Sequence, residues 1–186
     1  MRRFSDIFFA IILIIIFILP LIFISLVIKF TSNGPVLYWS DRFGRNNKIF
    51  KMPKLRTMRI NSPVVASNLI ENPEQYITPF GKILRNFSLD ELPQLICILG
   101  GSMSFIGPRP ALFNQKDLIE LRTRNNIHLL CPGITGWAQV NGRDQINIYK
   151  KVDLEIFYRD NRSFILDCKI VLLTIKKVLF RKNIIH

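Results

Sequence analysis

The run Arg85-Asn86-Phe87-Ser88-Leu89-Asp90-Glu91-Leu92-Pro93-Gln94-Leu95 holds the residues of this chain best suited to chemistry. Two adjacent carboxylates, Asp90 and Glu91, follow an arginine and precede an apolar stretch. A carboxylate can attack phosphorus and carry the phosphoryl group covalently. A neighbouring carboxylate can hold a divalent cation, which takes hard oxygen ligands and neutralises phosphate oxygens. On a helix, consecutive side chains point about 100° apart, so the pair could address different parts of one diphosphate. The same residues also have a structural reading. Ser88 and Glu91 have the spacing of a capping box, and an acid in a first turn complements the helix dipole. Pro93 fits that reading poorly, because it forfeits a hydrogen bond in a helix that begins at Leu89. Spacing alone favours the structural reading.

Two anions repel an anionic substrate unless cations compensate. Arg56, Arg85, Arg109 and Arg143 each lie in or beside compact motifs of Gly, Pro and polar residues. Guanidinium groups bind phosphate in a bidentate manner. The whole chain shares this bias, with 26 Lys and Arg against 13 Asp and Glu, formally +13. Such an excess points to nucleic acid, an anionic membrane surface or phosphorylated substrates. Cys97, Cys131 and Cys168 are too far apart for a CxxC pair, and His128 and His186 are too few for a zinc site. Unpaired thiols suit a reducing compartment, which favours a cytosolic catalytic face.

The elements that must carry these residues begin in a membrane. The 186 residues suit one domain, and 49% hydrophobic residues allow a packed core. From Ile7 to Ile28 the chain is apolar except for Pro20 and Ser25, long enough to enter a bilayer and unlike a cleaved signal peptide. Arg2 and Arg3 precede this segment. Eight basic residues and one acid lie between Lys29 and Arg59, so both flanks favour the cytoplasm. A break at Pro20 that returns the helix to the same face satisfies both flanks, and a tilted single span is the alternative. Residues 1–32 are therefore a membrane helix and 33–186 a catalytic domain.

Within that domain Val36–Trp39 and Lys48–Lys51 suggest a small β-hairpin around Gly44, and Ser62–Pro79 reads as a loop with a short helix. Leu92–Leu99 and Leu112–Asn125 read as helices, the second exposed. Ser163–Phe180 reads as a helix capped by Ser163 or Asn161 that can lie along a membrane surface, or pack as an ordinary core helix. The fold class is α+β and mainly helical, with a membrane helix that is either re-entrant or a tilted single span, a small hairpin and interfacial amphipathic helices.

These motifs, in this order, resemble the bacterial sugar transferases, also called monotopic phosphoglycosyl transferases. The resemblance is carried by Arg2-Arg3-Phe4-Ser5-Asp6, Gly34-Pro35-Val36, Arg42-Phe43-Gly44, Phe50-Lys51, Lys54-Leu55-Arg56-Thr57-Met58 and Gly81-Lys82-Ile83-Leu84-Arg85. Its most specific blocks are Ser88–Leu95, Met103–Pro110 and Pro132–Arg143. It covers nearly the whole chain, is similar to the minimal catalytic form of the family, and implies that the membrane helix of residues 1–32 is re-entrant. The resemblance implies that Asp90 attacks the sugar-bearing phosphate of a UDP-sugar, releasing UMP. Undecaprenyl phosphate then accepts the phosphosugar, and the product initiates a surface glycan. It further implies that Glu91 holds Mg²⁺, that Lys54, Arg85, Arg109 and Arg143 contact phosphate, and that the enzyme sits on the cytoplasmic face of the bacterial inner membrane.

Three positions depart from the family pattern: Ser102 replaces an acid often found before the Met-Ser pair, Leu19-Pro20 replaces Ser-Pro, and Glu155 stands where an Asp often precedes Tyr158. No nucleic-acid-binding module is present, so nucleic acid is not an expected partner. A non-catalytic membrane scaffold accounts for the apolar segment and charge but not for rigid Gly/Pro turns beside Arg, Asp and Asn. A metal-dependent nucleotide-sugar hydrolase is the nearest enzymatic rival.

Overall fold

The apolar N-terminal run forms the centre of one long helix, α1 (Arg2–Thr31), in a computed structural model that describes residues 2–63, 72–142 and 146–179. Among the described residues it is the one helix long and apolar enough to cross a membrane. The chain stays helical through Pro20. One missing hydrogen bond does not stop a helix whose neighbouring turns are held from outside.

They are held along a single stripe. Ala10, Leu13 and Ile14 pack with Met52, Leu95, Ile98 and Met103. Leu21, Ile24 and Ile28 pack with Leu55, Leu84 and Leu89. The spacing of three and four residues keeps these positions on one helical face. The other faces leave Ile15, Leu19, Phe23 and Phe30 exposed.

The N-terminal end is also tied by polar contacts. Arg3 donates to the carbonyls of Ile98 and Leu99, the latter at 2.6 Å. These are among the last carbonyls of α3 (Leu95–Gly100), and that of Ile98 also accepts from the Gly101 amide at 3.0 Å. Asp6 accepts from the Ser104 hydroxyl at 2.8 Å and the Phe105 amide at 3.3 Å. Arg2 pairs with Asp167 at 3.0 Å. Both flanks of the apolar segment therefore rest on the same body, as the charge pattern requires.

That body is built on a three-stranded antiparallel sheet in the order β2-β1-β4. The hairpin is longer than its sequence signals suggested: β1 (Leu37–Phe43) pairs with β2 (Ile49–Leu55) through all seven residues of each. Pro53 is tolerated in β2 because this is an edge strand. The short β4 (Ala111–Leu112) adds to β1 opposite Phe43 and Arg42, and takes Leu112, the residue expected to start a helix. β3 (Ser104–Ile106) pairs in parallel with β5 (Gly133–Thr135).

This second sheet locks the two Gly/Pro motifs together. A Cβ on Gly107 would lie 2.2 Å from the Cys131 carbonyl oxygen, and one on Gly136 would lie 2.1 Å from the Gly107 oxygen. Gly107→Ala is expected to lower stability by about 1–3 kcal/mol through forced separation of these backbones. It should also lower turnover by displacing Arg109 two residues on. Thermal unfolding and an activity assay on the same preparation check both effects.

The remaining helices close the body. α2 (Pro79–Asn86) starts with Pro at its first position, and its Thr78 cap accepts from the Gly81 amide at 3.0 Å. α4 (Lys116–Arg124) is not fully exposed as expected, since Leu118 and Arg122 are buried against α6 (Ile148–Asp160). α6 was not foreseen; Asn147 caps it by accepting from the Lys150 amide at 2.8 Å. α5 (Trp137–Val140) and α7 (Phe164–Leu179) complete the packing around Tyr158 and Ile170. Ser163 caps α7 as its sequence suggested, accepting from the Leu166 amide at 3.2 Å.

Candidate active site

Asp90 and Glu91 do not begin an α-helix. They lie in a 3₁₀ segment, Leu89–Gln94, and Ser88 before it adopts φ 54° and makes no side-chain cap. The capping-box reading is thereby overturned. Positive φ is costly for serine and is held where packing dictates it. Here it reverses the chain between α2 and the 3₁₀ turn, setting Asp90 and Glu91 into the interior with 4% and 6% exposure. The tight turn then leads into α3, so the single predicted helix over Leu92–Leu99 is two elements.

The two carboxylates face different tasks. Asp90 lines a cavity of about 270 Å³ whose walls also include Ser40, Lys54, Arg56, Arg85 and Arg109. Its Oδ1 is buried and has no hydrogen-bond partner. Glu91 is set behind the wall: its Oε1 accepts from Lys54 Nζ at 2.8 Å and from Arg109 Nη2 at 3.2 Å. Arg85, from α2, donates from Nε to the Thr57 hydroxyl at 2.9 Å. Arg56 donates to the Pro35 carbonyl at 2.8 Å, tying the cavity rim to the turn after α1.

Burial dominates the proton equilibria. Loss of water raises the Asp90 carboxyl above its ordinary range; Lys54 opposes the shift and Glu91 reinforces it. Loss of water also lowers the Lys54 ammonium, with Glu91 opposing. A carboxylate that binds its proton more firmly is also a more basic nucleophile once ionised.

The sequence-derived site thus assembles at Asp90, Glu91, Lys54, Arg56, Arg85 and Arg109. Arg143 lies outside the described residues. Pro20 sits on the outward side of α1, remote in role from the cavity. Several lining residues were not singled out as site residues: Tyr38, Ser40 and Arg42 from alternate positions of β1, then Arg59, Gln115, Arg122 and Lys151. Alternation along β1 could have found the first three once the strand was known to reach Phe43.

Of the three departures from the family pattern, Ser102 donates to the Cys97 carbonyl at 3.2 Å. Glu155 forms a buried two-point pair with Arg122, at 2.8 and 2.5 Å. It is therefore committed to Arg122. Leu19 is exposed on α1.

Among the described residues no three His, Cys, Asp or Glu side chains gather into a ready-made metal cage. Mg²⁺ at phosphate sites needs less than that, taking one or two carboxylates and filling its shell with phosphate oxygens and water. The orphaned Asp90 Oδ1 fits such a donor, whereas Glu91 is already held by Lys54 and Arg109 and would have to release one of them to bind the ion.

Over residues 1–181 the sequence matches the family described as bacterial sugar transferase. It is 39% identical over 184 residues to the Bacillus subtilis (strain 168) protein named uncharacterized sugar transferase EpsL, covering 99% of this chain and 90% of the relative. It is 37% identical over 186 residues to UDP-glucose:undecaprenyl-phosphate glucose-1-phosphate transferase of Escherichia coli (strain K12), covering 95% of this chain and 40% of that enzyme. It is 34% identical over 186 residues to UDP-N-acetylgalactosamine-undecaprenyl-phosphate N-acetylgalactosaminephosphotransferase of Aeromonas hydrophila, covering 96% and 43%. The chain thus spans about two fifths of the length of these last two relatives. Matched almost end to end, the chain belongs to the bacterial sugar transferase family.

Proposed function

We propose that this protein is a phosphoglycosyl transferase that moves a sugar phosphate from a UDP-sugar to undecaprenyl phosphate. The observation that carries this reading is a buried carboxylate, Asp90, with one oxygen free of hydrogen bonds, in a cavity walled by Lys54, Arg85 and Arg109. A hydrogen-bonded structural aspartate would have both oxygens satisfied. The named activities of the relatives agree with it.

In the first half-reaction an Asp90 oxygen attacks the phosphorus that bears the sugar. The bond from that phosphorus to the bridging oxygen breaks, and UMP leaves with the electron pair. In the second, a phosphate oxygen of undecaprenyl phosphate attacks the same phosphorus and Asp90 leaves as a carboxylate. The product is a polyprenyl diphosphate sugar, the starting unit of a surface glycan. Lys54, Arg85 and Arg109 neutralise phosphate oxygens in both steps, and Glu91 fixes Lys54 and Arg109 so that they point at fixed places. Mg²⁺, held by Glu91 with Asp90 nearby, would supply further neutralisation of the diphosphate.

α1 places the cavity at the acceptor. Its outward faces, with Ile15, Leu19 and Phe23, are immersed in lipid while its inward stripe keeps both flanks on the catalytic body. The body then sits on the cytoplasmic face of the bacterial inner membrane, where the basic flanks meet anionic headgroups.

The test is UMP release by the detergent-held protein with Mg²⁺ and undecaprenyl phosphate across a panel of UDP-sugars. Sustained UMP release with at least one sugar, dependent on the lipid, is the expected result. Release of free sugar phosphate without lipid would make the protein a hydrolase, and no release from folded protein would make it a scaffold.

A further inference from the structure

Thr57 is a polar residue in the cavity wall with only 5% exposure. A buried hydroxyl costs free energy unless it is hydrogen-bonded, so its partner indicates its use. The main chain and the side chain of Thr57 have separate partners. Its carbonyl accepts from the Thr78 amide at 3.0 Å and from the Thr78 hydroxyl at 3.3 Å, tying the segment after β2 to the start of α2. A Cβ on Gly81 would lie 2.2 Å from the same carbonyl oxygen, so α2 packs directly on this backbone. The tie that holds the fold here therefore runs through the main chain. The hydroxyl has a different partner: it accepts from Arg85 Nε at 2.9 Å.

Arg85 lines the cavity together with Asp90. Burial lowers its guanidinium, and the charges of Asp90 and then Glu91 oppose that shift, as expected of near neighbours. Several rotatable bonds separate the guanidinium from the helix that carries it, so α2 alone does not set its direction. A bond at Nε does, because Nε lies in the guanidinium plane and fixes where the two terminal nitrogens can point. The same arrangement recurs on β1, where the buried Ser40 hydroxyl accepts from Arg42 Nε at 3.0 Å.

We propose that Thr57 is a positioning residue of the transfer site: its hydroxyl holds Arg85 by Nε and so aims the guanidinium at the phosphate that Asp90 attacks. This inference rests on the transferase reading above and adds to it the group that orients one of its cations. An arginine that must find its place in each turnover still attracts the diphosphate, but it no longer meets the charge where that charge develops. The loss should therefore fall mainly on kcat and little on KM.

The experiment measures kcat and KM for UMP release with one UDP-sugar that the parent protein turns over, below the melting temperature of every variant. Thr57→Val keeps the shape of the side chain and both main-chain ties but removes the acceptor, and kcat should fall by about tenfold to 100-fold. Thr57→Ser keeps the hydroxyl and should restore most of the lost kcat, although it lacks the methyl group. Thr57→Ala, which also lacks the hydroxyl, takes the place of Thr57→Val if that variant does not fold. A double-mutant cycle supplies the readout that a packing role would not move. In an Arg85→Met background, which has no Nε to hold, Thr57→Val should cost nothing further. A hydroxyl-free variant with parental kcat, a serine variant as slow as the valine one, or the same loss in both backgrounds overturns the proposal. If the parent turns over no UDP-sugar, the transferase reading has failed and this inference with it, an outcome visible before any variant is made.

Discussion

Asp90→Asn is expected to lower turnover by at least about 10⁴-fold, the scale seen when a covalent nucleophile is removed. Asp90→Ala should do the same, and both variants should remain with the membrane fraction, because α1 and its stripe are untouched. The asparagine variant carries a second, opposite effect on stability. The Asp90 carboxyl is raised by burial, so folding favours its neutral form. A group raised in the folded state contributes stability at low pH and loses it as pH rises through its folded value. At neutral pH the ionised Asp90 is therefore a cost to the fold that asparagine does not have. In metal-free, substrate-free detergent the variant should melt above the parent at pH 7. The difference should fade as the pH approaches the ordinary carboxylate range. A variant that is inactive and more stable marks a residue kept for chemistry. A variant with parental activity removes Asp90 as nucleophile.

The second large effect concerns Glu91, whose role in the protein alone is to hold two cations. Its side chain is 7% exposed, against 16% for Lys54 and 23% for Arg109. Removing one partner of a buried pair leaves uncompensated charge, so Glu91→Ala should cost about 3 kcal/mol by denaturant unfolding, the lower part of the usual span because Arg109 keeps some water. Turnover should fall by about 100-fold or more as Lys54 and Arg109 lose their common anchor. Glu91→Gln keeps an acceptor for both donors and should recover part of the stability. It should recover little of the activity if the carboxylate also serves Mg²⁺, and a Mg²⁺ titration of the two variants separates anchoring from metal binding.

What the sequence disclosed, and what it hid, follows from the range of the contacts. Asp90 and Glu91 were visible because they are adjacent in a compact motif, and the family resemblance converted an ambiguous cap into a site. The Gly/Pro motifs were visible as rigid turns, but their purpose was not. Only the parallel pairing of β3 with β5 shows that Gly107, Gly133 and Gly136 are selected by mutual backbone approach.

The triad of Lys54, Glu91 and Arg109 could not be read from spacing, because its members come from a strand, a 3₁₀ turn and a loop that packing brings together. α6 escaped notice because Lys150, Lys151, Asp153 and Glu155 interrupt its apolar positions. One of those charges, Glu155, points inward to Arg122 rather than to water. Pro20 is spanned by its helix: proline weakens a helix locally, and packing contacts on both sides of it hold both halves of α1 on one body.

The central claim is that Asp90 carries the phosphosugar covalently. Its most direct test is the intact mass of the protein after incubation with Mg²⁺ and a UDP-sugar that it turns over, without lipid acceptor. The account predicts one added phosphosugar per chain, mapped to the peptide that contains Asp90. The adduct should be discharged by undecaprenyl phosphate and be absent from Asp90→Asn. Lipid-dependent UMP release with no adduct at any time, or an adduct on another residue, would contradict it.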